Sequence, residues 1–299
     1  MTYNEGRLVC MICNACPRKC NIDRESAVGF CQSPGAFRLA RAALHFWEEP
    51  CISGKNGSGT VFFSGCNLKC VYCQNYEISR KNKGVEISDE KLVEIFEKLI
   101  EDGAENINLV NPTHYAERLA GVLSRWKSPV PIVYNTSGYE SAETLKKLDG
   151  LVDIYLTDFK YIRPDKAEKY SAAADYPEIA KKALKEMVRQ QPKDEFMDGM
   201  MKKGVIIRHL VLPRNTNSSL EILDYLAGGY KNRCISLMAQ YTPCGELENY
   251  PEINRQITAR EYSKVVDYAI NLGFDNLFLQ ELSSSDKKFI PAFDFSGIM

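Results

Sequence analysis

Seven short apolar runs, rich in β-branched and aromatic residues, recur between residues 60 and 280, with amphipathic stretches between them. The runs are TVFFS (60–64), INLV (107–110), PIVY (131–134), DIYLT (153–157), VIIRHLVL (205–212), ISLMAQ (235–240) and NLFLQ (276–280). Four intervals carry helical periodicity, at 89–99, 116–126, 179–188 and 260–272. Ser88 and Thr258 stand where N-caps belong, and Gly103 and Gly273 suit C-terminal caps. Continuous apolar runs predict strands buried on both faces, and strand–helix repetition predicts parallel pairing with right-handed crossovers. The alternation therefore limits the chain to an α/β fold, a partial or open (β/α)6-type TIM barrel. A doubly wound open sheet is the rival, but no Gly-rich dinucleotide fingerprint follows any of the runs.

Polar residues follow the runs in a regular way. A cysteine loop comes after the first, and Asn111-Pro112-Thr113-His114 after the second. Asn135 follows the third, and Asp158 and Lys160 follow the fourth. Arg208 and His209 lie within the fifth, and the sixth ends at Gln240 and Tyr241. In a barrel, the C-terminal ends of the strands are where an active site is built. The recurrence at that edge makes Asn111, Thr113, Asn135, Asp158, Lys160, Arg208, Gln240 and Tyr241 candidate site residues. His209 reads instead as a satisfied histidine in or beside the core.

The cysteine loop, GCNLKCVYCQN (65–75), holds Cys66, Cys70 and Cys73 in the pattern C-x-x-x-C-x-x-C. Three thiolates can hold three corners of a cubane [4Fe-4S] cluster and leave its fourth iron open. A zinc completed by a distant fourth ligand, or free thiols, are the alternatives. Of the 11 cysteines, only Cys234 and Cys244 lie beyond residue 73. Cys13, Cys16, Cys20 and Cys31 form a second set, C-x-x-C-x-x-x-C-x10-C. Such a quartet suits a closed site, either a structural zinc or a second iron–sulfur cluster, with packing without metal as the alternative. Cys10 could replace one of its members, whereas Cys51 has no expected ligand role. Residues 1–56 accordingly read as a Cys-rich N-terminal extension, and 57–299 as the barrel with a C-terminal tail.

Charge narrows the partners. The 38 basic and 39 acidic residues nearly cancel, which gives no electrostatic footprint for nucleic acid or an anionic membrane. The start of the chain lacks a secretory signal pattern, and no apolar run approaches membrane-spanning length. A cytoplasmic location is expected. In a reducing compartment, so many thiols are better metal ligands than disulfides.

The cysteine loop at the end of the first barrel strand, with Tyr72 before its third thiol, resembles the radical S-adenosylmethionine (SAM) superfamily. Its closer resemblance is to the pyruvate formate-lyase activating enzyme-like branch. CPRKC, GFC, HFWEEPCISG, GSGTVFFSGCNLKCVYCQNYEIS, NLVNPTHY, YLTDFKY, IRHLVLP, LMAQY and FIPAFDFSG carry it over nearly the whole chain. The resemblance implies that Cys66, Cys70 and Cys73 hold a [4Fe-4S] cluster whose open iron chelates SAM. Reductive cleavage of SAM would give a 5′-deoxyadenosyl radical that abstracts hydrogen from a substrate. It further implies that Tyr72 and Asn75 contact adenine, and that Asp158 and Lys160 bind the methionine and ribose portions of SAM. Asn135, Arg208, Gln240 and Tyr241 fall at SAM-facing positions. The family often places Gly-Gly-Glu after the second strand to receive the SAM amino group, whereas this chain has Asn111-Pro112-Thr113. A flavodoxin- or ferredoxin-type electron donor is implied, and a glycyl-radical enzyme or a peptide is the implied substrate. A small-molecule substrate, or a non-catalytic iron–sulfur or zinc protein, are the alternative readings, and no segment specifies the substrate.

Overall fold

Buried apolar runs build the centre of the molecule. The computed structural model describes residues 12–245, 247–284 and 291–299. In chain order its first half comprises β1 (Phe37–His45), α1 (Pro50–Ser53), β2 (Ser58–Phe63), α2 (Tyr76–Ser79), β3 (Val85–Ile87), α3 (Asp89–Glu101), β4 (Ile107–Val110), α4 (Ala116–Arg125), β5 (Ile132–Thr136) and α5 (Ala142–Lys146). Then come β6 (Ile154–Asp158), α6 (Pro164–Ser171), α7 (Tyr176–Gln190), β7 (Glu195–Met197), β8 (Met200–Leu210), α8 (Thr216–Ala227), β9 (Cys234–Met238), α9 (Ala259–Leu272) and β10 (Asn276–Leu279).

Strands β2, β4, β5, β6, β8, β9 and β10 pair in that order, all parallel. β1 adds antiparallel to β2, and β3 adds antiparallel to β1. The sheet does not close on itself, since β10 and β3 form its two edges. This is the open, partial TIM barrel expected from the alternation. β1 falls inside the stretch read as the N-terminal extension, yet it is a strand of the same sheet. The C-terminal tail also lies along β1, through Ala42 N–H to Ser296 O at 2.9 Å and Phe295 N–H to Ala40 O at 3.1 Å.

The helices are set by ordinary end chemistry. Ser88 caps α3 by accepting from Lys91 N–H. Thr258 and Glu261 form a reciprocal capping box at the start of α9, which ends at Gly273 in the left-handed region. Alternate residues of the strands face opposite ways. One set packs under the helices, where Leu109, Tyr134, Tyr155 and Val205 join the main core. The other fills the barrel interior, where Val133, Ile154, Leu156, Ile206 and Cys234 pack with Cys51 and Ile52 of α1. Asn106 pins α1 there by donating to Ile52 O at 2.7 Å. The short helix α1 is thus a plug, and the residues just before it are placed at the barrel's interior. Among the described residues, no helix is long and apolar enough to cross a membrane.

Candidate active site

The C-terminal ends of the parallel strands surround a cavity of about 630 Å³, within the size range of small-molecule and cofactor sites. Cys66, Cys70 and Cys73 share its wall. Their loop leaves β2 at Ser64 and turns at Gly65, whose φ of +87° is costly for any residue with a Cβ. A Cβ there would stand 1.8 Å from Ser33 Oγ and 2.7 Å from Cys31 O, so the turn also needs the missing side chain for space. Asn111 holds the turn from the next strand, donating from Nδ2 to Gly65 O at 2.6 Å. Its own φ of +58° is a conformation asparagine tolerates.

Each of the three sulfurs has a polar neighbour. Leu68 N–H donates to Cys66 Sγ at 3.4 Å, and Ser171 Oγ–H to Cys70 Sγ at 3.0 Å. Cys73 Sγ and Ser79 Oγ are 3.2 Å apart. Burial pushes all three thiols up, with Lys160 acting in the opposite direction. Buried, hydrogen-bonded sulfurs of this kind become thiolates when a metal supplies the positive charge. The donor set therefore fits an iron–sulfur cluster, whose cysteines bind separate irons. Among the described residues, no three His, Cys, Asp or Glu side chains form a ready ligand set for a single ion.

Beside the thiols runs a buried chain of charge. Lys160 Nζ donates to Asp158 Oδ2 at 2.6 Å, and Arg208 Nε to Asp158 Oδ1 at 2.9 Å. Arg208 continues with Nη2 to Asn135 Oδ1 at 2.7 Å and Nη1 to Glu48 Oε2 at 3.3 Å. Glu48 Oε1 also accepts from Nδ2 of Asn135 at 3.2 Å and of Asn108 at 3.4 Å. Burial opposes the charge on Asp158, but Arg208 and Lys160 outweigh it and hold its carboxyl below the usual range. Burial likewise opposes the charge on Lys160, and Asp158 overcomes it to raise the ammonium's pKa.

The structure brings together at this cavity Tyr72, Asn75, Asn111, Asn135, Asp158, Lys160, Arg208 and Gln240 with the three thiols. Two expected residues stand apart from it. The Thr113 hydroxyl is buried against the Glu140 carboxylate. The Tyr241 hydroxyl donates to Ile253 O at 2.7 Å, and its ring packs on Tyr72. Both lie beyond the ends of their strands, where buried partners hold the hydroxyls, an orientation their place in the sequence does not specify. Tyr72 itself faces the cavity, with its hydroxyl 2.6 Å from that of Tyr161. His209 is satisfied at both nitrogens, Nδ1 by Phe159 O and Nε2 by Ser219 Oγ, each at 2.9 Å.

Glu48 and Glu49 were not among the expected site residues, yet both line the cavity. They lie in the loop before α1, and only the docking of that plug carries them inside. A paired acid directly before Pro50 and a buried run was the available signal.

Cys13, Cys16 and Cys20 lie in one N-terminal hairpin, closed by Cys13 N–H to Ile22 O at 2.7 Å and Asn21 N–H to Cys13 O at 3.1 Å, and Phe30 N–H to Cys20 Sγ at 3.4 Å brings the segment of Cys31 against it. Burial pushes the Cys16 thiol up to about 12, with Cys31 and Cys13 adding to the effect. Cys51 is buried within the interior plug. Cys10 lies outside the described residues.

The sequence profile of the radical SAM superfamily matches residues 60–226. An uncharacterized protein of Methanocaldococcus jannaschii is 32% identical over 276 residues, covering 89% of this chain and 76% of the relative. The crystal structure of methylornithine synthase (PylB) superposes on 72% of this chain and 60% of its own, with a TM-score of 0.51 and 14% identity. The FeFe-hydrogenase maturase HydG from Carboxydothermus hydrogenoformans covers 75% of this chain and 54% of its own, with a TM-score of 0.49 and 14% identity. This chain thus spans less than two thirds of either solved protein, and at these identities the PylB likeness concerns the fold alone.

Proposed function

The chain belongs to the radical SAM superfamily, and on that premise we propose that it generates a substrate radical on a protein or peptide, in the manner of an activating enzyme. The superfamily's [4Fe-4S] cluster and SAM supply, when bound, reductive cleavage of the sulfonium to a 5′-deoxyadenosyl radical that takes a hydrogen atom from the substrate. Cys66, Cys70 and Cys73 would hold the cluster, and the hydrogen bonds from Leu68 N–H and Ser171 Oγ–H keep their loop in place. Lys160 and Asp158, next to the thiols, present a fixed charge pair for the polar end of SAM. Asn111 spends its Nδ2 donor on Gly65 O, which leaves its Oδ1, 3.6 Å from Cys66 Sγ, as an acceptor that the SAM amino group would meet beside the cluster.

One observation carries the reading: three buried thiols and the Lys160–Asp158–Arg208 chain line one cavity at the strand ends. The open edge of the sheet at β10, whose Phe278 and Leu279 line the cavity, supports a protein or peptide substrate, because a partner's loop can approach from that side. The same cavity would also serve a small molecule, the competing reading. Anaerobically reconstituted enzyme given SAM and a strong reductant should release 5′-deoxyadenosine. Full cluster content without that product would end the radical assignment. Cys70→Ala should lose both iron and cleavage, and retained cleavage would contradict the ligand set. Incubation with a glycyl-radical protein should give a glycyl radical signal, whereas cleavage stimulated only by small metabolites would favour the competing reading.

A further inference from the structure

Among the described residues, the cavity is lined by more carboxylates than cations. Glu48, Glu49, Asp158 and Glu281 line it, against Lys160 and Arg208. Both cations are already engaged, Lys160 by Asp158, and Arg208 by Asp158, Glu48 and Asn135. Glu48 is satisfied by three donors. Glu49 is not. The residue is 8% exposed, it lines the cavity, and its Oε2 is buried without a hydrogen-bond partner. Asn108, which donates to Glu48, has its Oδ1 buried and unpartnered as well.

An unpartnered buried carboxylate oxygen is expensive, and native structures seldom leave one without a reason. Burial pushes the Glu49 carboxyl up, and Arg208, shared among several acids, opposes this incompletely. A further cation arriving through the cavity would keep it charged. An orphaned carboxylate oxygen on a residue of the cavity wall, with the Glu48 carboxylate next to it in the chain, suits a group that brings positive charge and several N–H donors. Trp47, Pro50, Phe62 and Phe278 line the same space, and their apolar surfaces suit the methylenes that carry such a group.

We infer that Glu49, with Glu48 beside it, recognises a cationic group of the substrate, an ammonium or guanidinium on an aliphatic stem. The group could belong to a free amine or to a Lys or Arg side chain of a peptide. The inference deepens the proposed function and rests on it. It assigns the acidic end of the cavity to substrate and the thiol end to the cofactors.

The test is binding without turnover. Anaerobically reconstituted enzyme, saturated with SAM and kept without reductant, is titrated calorimetrically with n-butylamine, n-butylguanidine, Nα-acetyl-lysine N-methylamide and uncharged n-pentanol. The cationic probes should bind at least about tenfold more tightly than the alcohol, the scale of one charge-assisted hydrogen bond. Glu49→Gln should erase the preference, and Glu49→Asp should keep part of it. Stronger binding of the capped lysine than of butylamine would identify a peptide source, and the reverse a free amine. Equal binding of the alcohol, a preference that survives Glu49→Gln, or no binding of any cationic probe at its solubility limit would overturn the assignment. A loss of SAM affinity in Glu49→Gln would place Glu49 in the cofactor site and overturn it too. If Glu49→Gln does not fold, the wild-type preference and Glu49→Asp still decide. Formation of 5′-deoxyadenosine is scored separately, so cleavage without cation preference defeats only this inference, and absent cleavage defeats the radical reading beneath it.

Discussion

Glu140 sits behind the cavity wall, fully buried, where it accepts from the hydroxyls of Thr113 and Thr136 and lies 3.5 Å from that of Tyr134. Burial raises its pKa from 4.5 to about 7, although the three hydroxyls act the other way. The unfolded chain therefore releases this proton at lower pH than the folded one. Between those two values the native state holds more protons, so stability falls as pH rises from 4.5 and levels off above about 7. The whole effect is on the order of 3 kcal/mol. Glu140→Gln should remove this slope, which urea midpoints across that pH window would show. An unchanged slope would place the titration elsewhere. Thr113 illustrates the limit of sequence reading at this scale. Its place after the second strand was legible, but which way a hydroxyl points depends on a neighbour 27 residues away. Asp158 and Lys160 were easier, because their spacing and the charge they carry both point at the strand end.

At the scale of elements, all seven runs became parallel strands because each is apolar enough to be read without its neighbours. β1 escaped because a bulge between Leu39 and Arg41 breaks its alternation, leaving Leu39 and Ala40 both buried. α8 also escaped; its first residues, Thr216 to Ser219, are polar, and no side chain caps it. The turn from β2 into the cysteine loop is the element on which the site depends most. Gly65→Ala would add left-handed strain and a Cβ 1.8 Å from Ser33 Oγ. The variant should purify with markedly less iron per chain after anaerobic reconstitution. Gly121→Ala is the matched control, since its Cβ would meet nothing nearer than 3.7 Å in the middle of α4. It should keep its iron and gain about 0.5–1 kcal/mol of helix stability. Equal iron in the two variants would show that the turn does not need glycine.

For the molecule as a whole, the N-terminal hairpin and the barrel meet at the cysteine loop. Arg18 donates to Asn67 O at 2.9 Å and to Ala172 O at 2.7 Å. Arg24 reaches His114 O and donates to Pro34 O at 2.6 Å. The Cys31 carbonyl accepts from Cys66 N–H at 3.3 Å, and Ser33 Oγ–H donates to Ser64 O at 3.1 Å. One end of the quartet is thus hydrogen-bonded, backbone to backbone, to Cys66 of the barrel loop. None of these contacts was legible in sequence, because each ends on a backbone carbonyl, which carries no residue-specific signal. They give the quartet a consequence beyond its own hairpin. If Cys13, Cys16, Cys20 and Cys31 hold a metal, that metal stiffens the segment that grips Cys66. Cys13→Ser/Cys16→Ser should then lose either one zinc or about four irons relative to the parent. It should also release iron from the Cys66 loop to a chelator faster than the parent does. Unchanged metal content would mark the quartet as packing. Loss of metal with an unchanged release rate would separate the two sites and leave the hairpin bonds as the sole link between them.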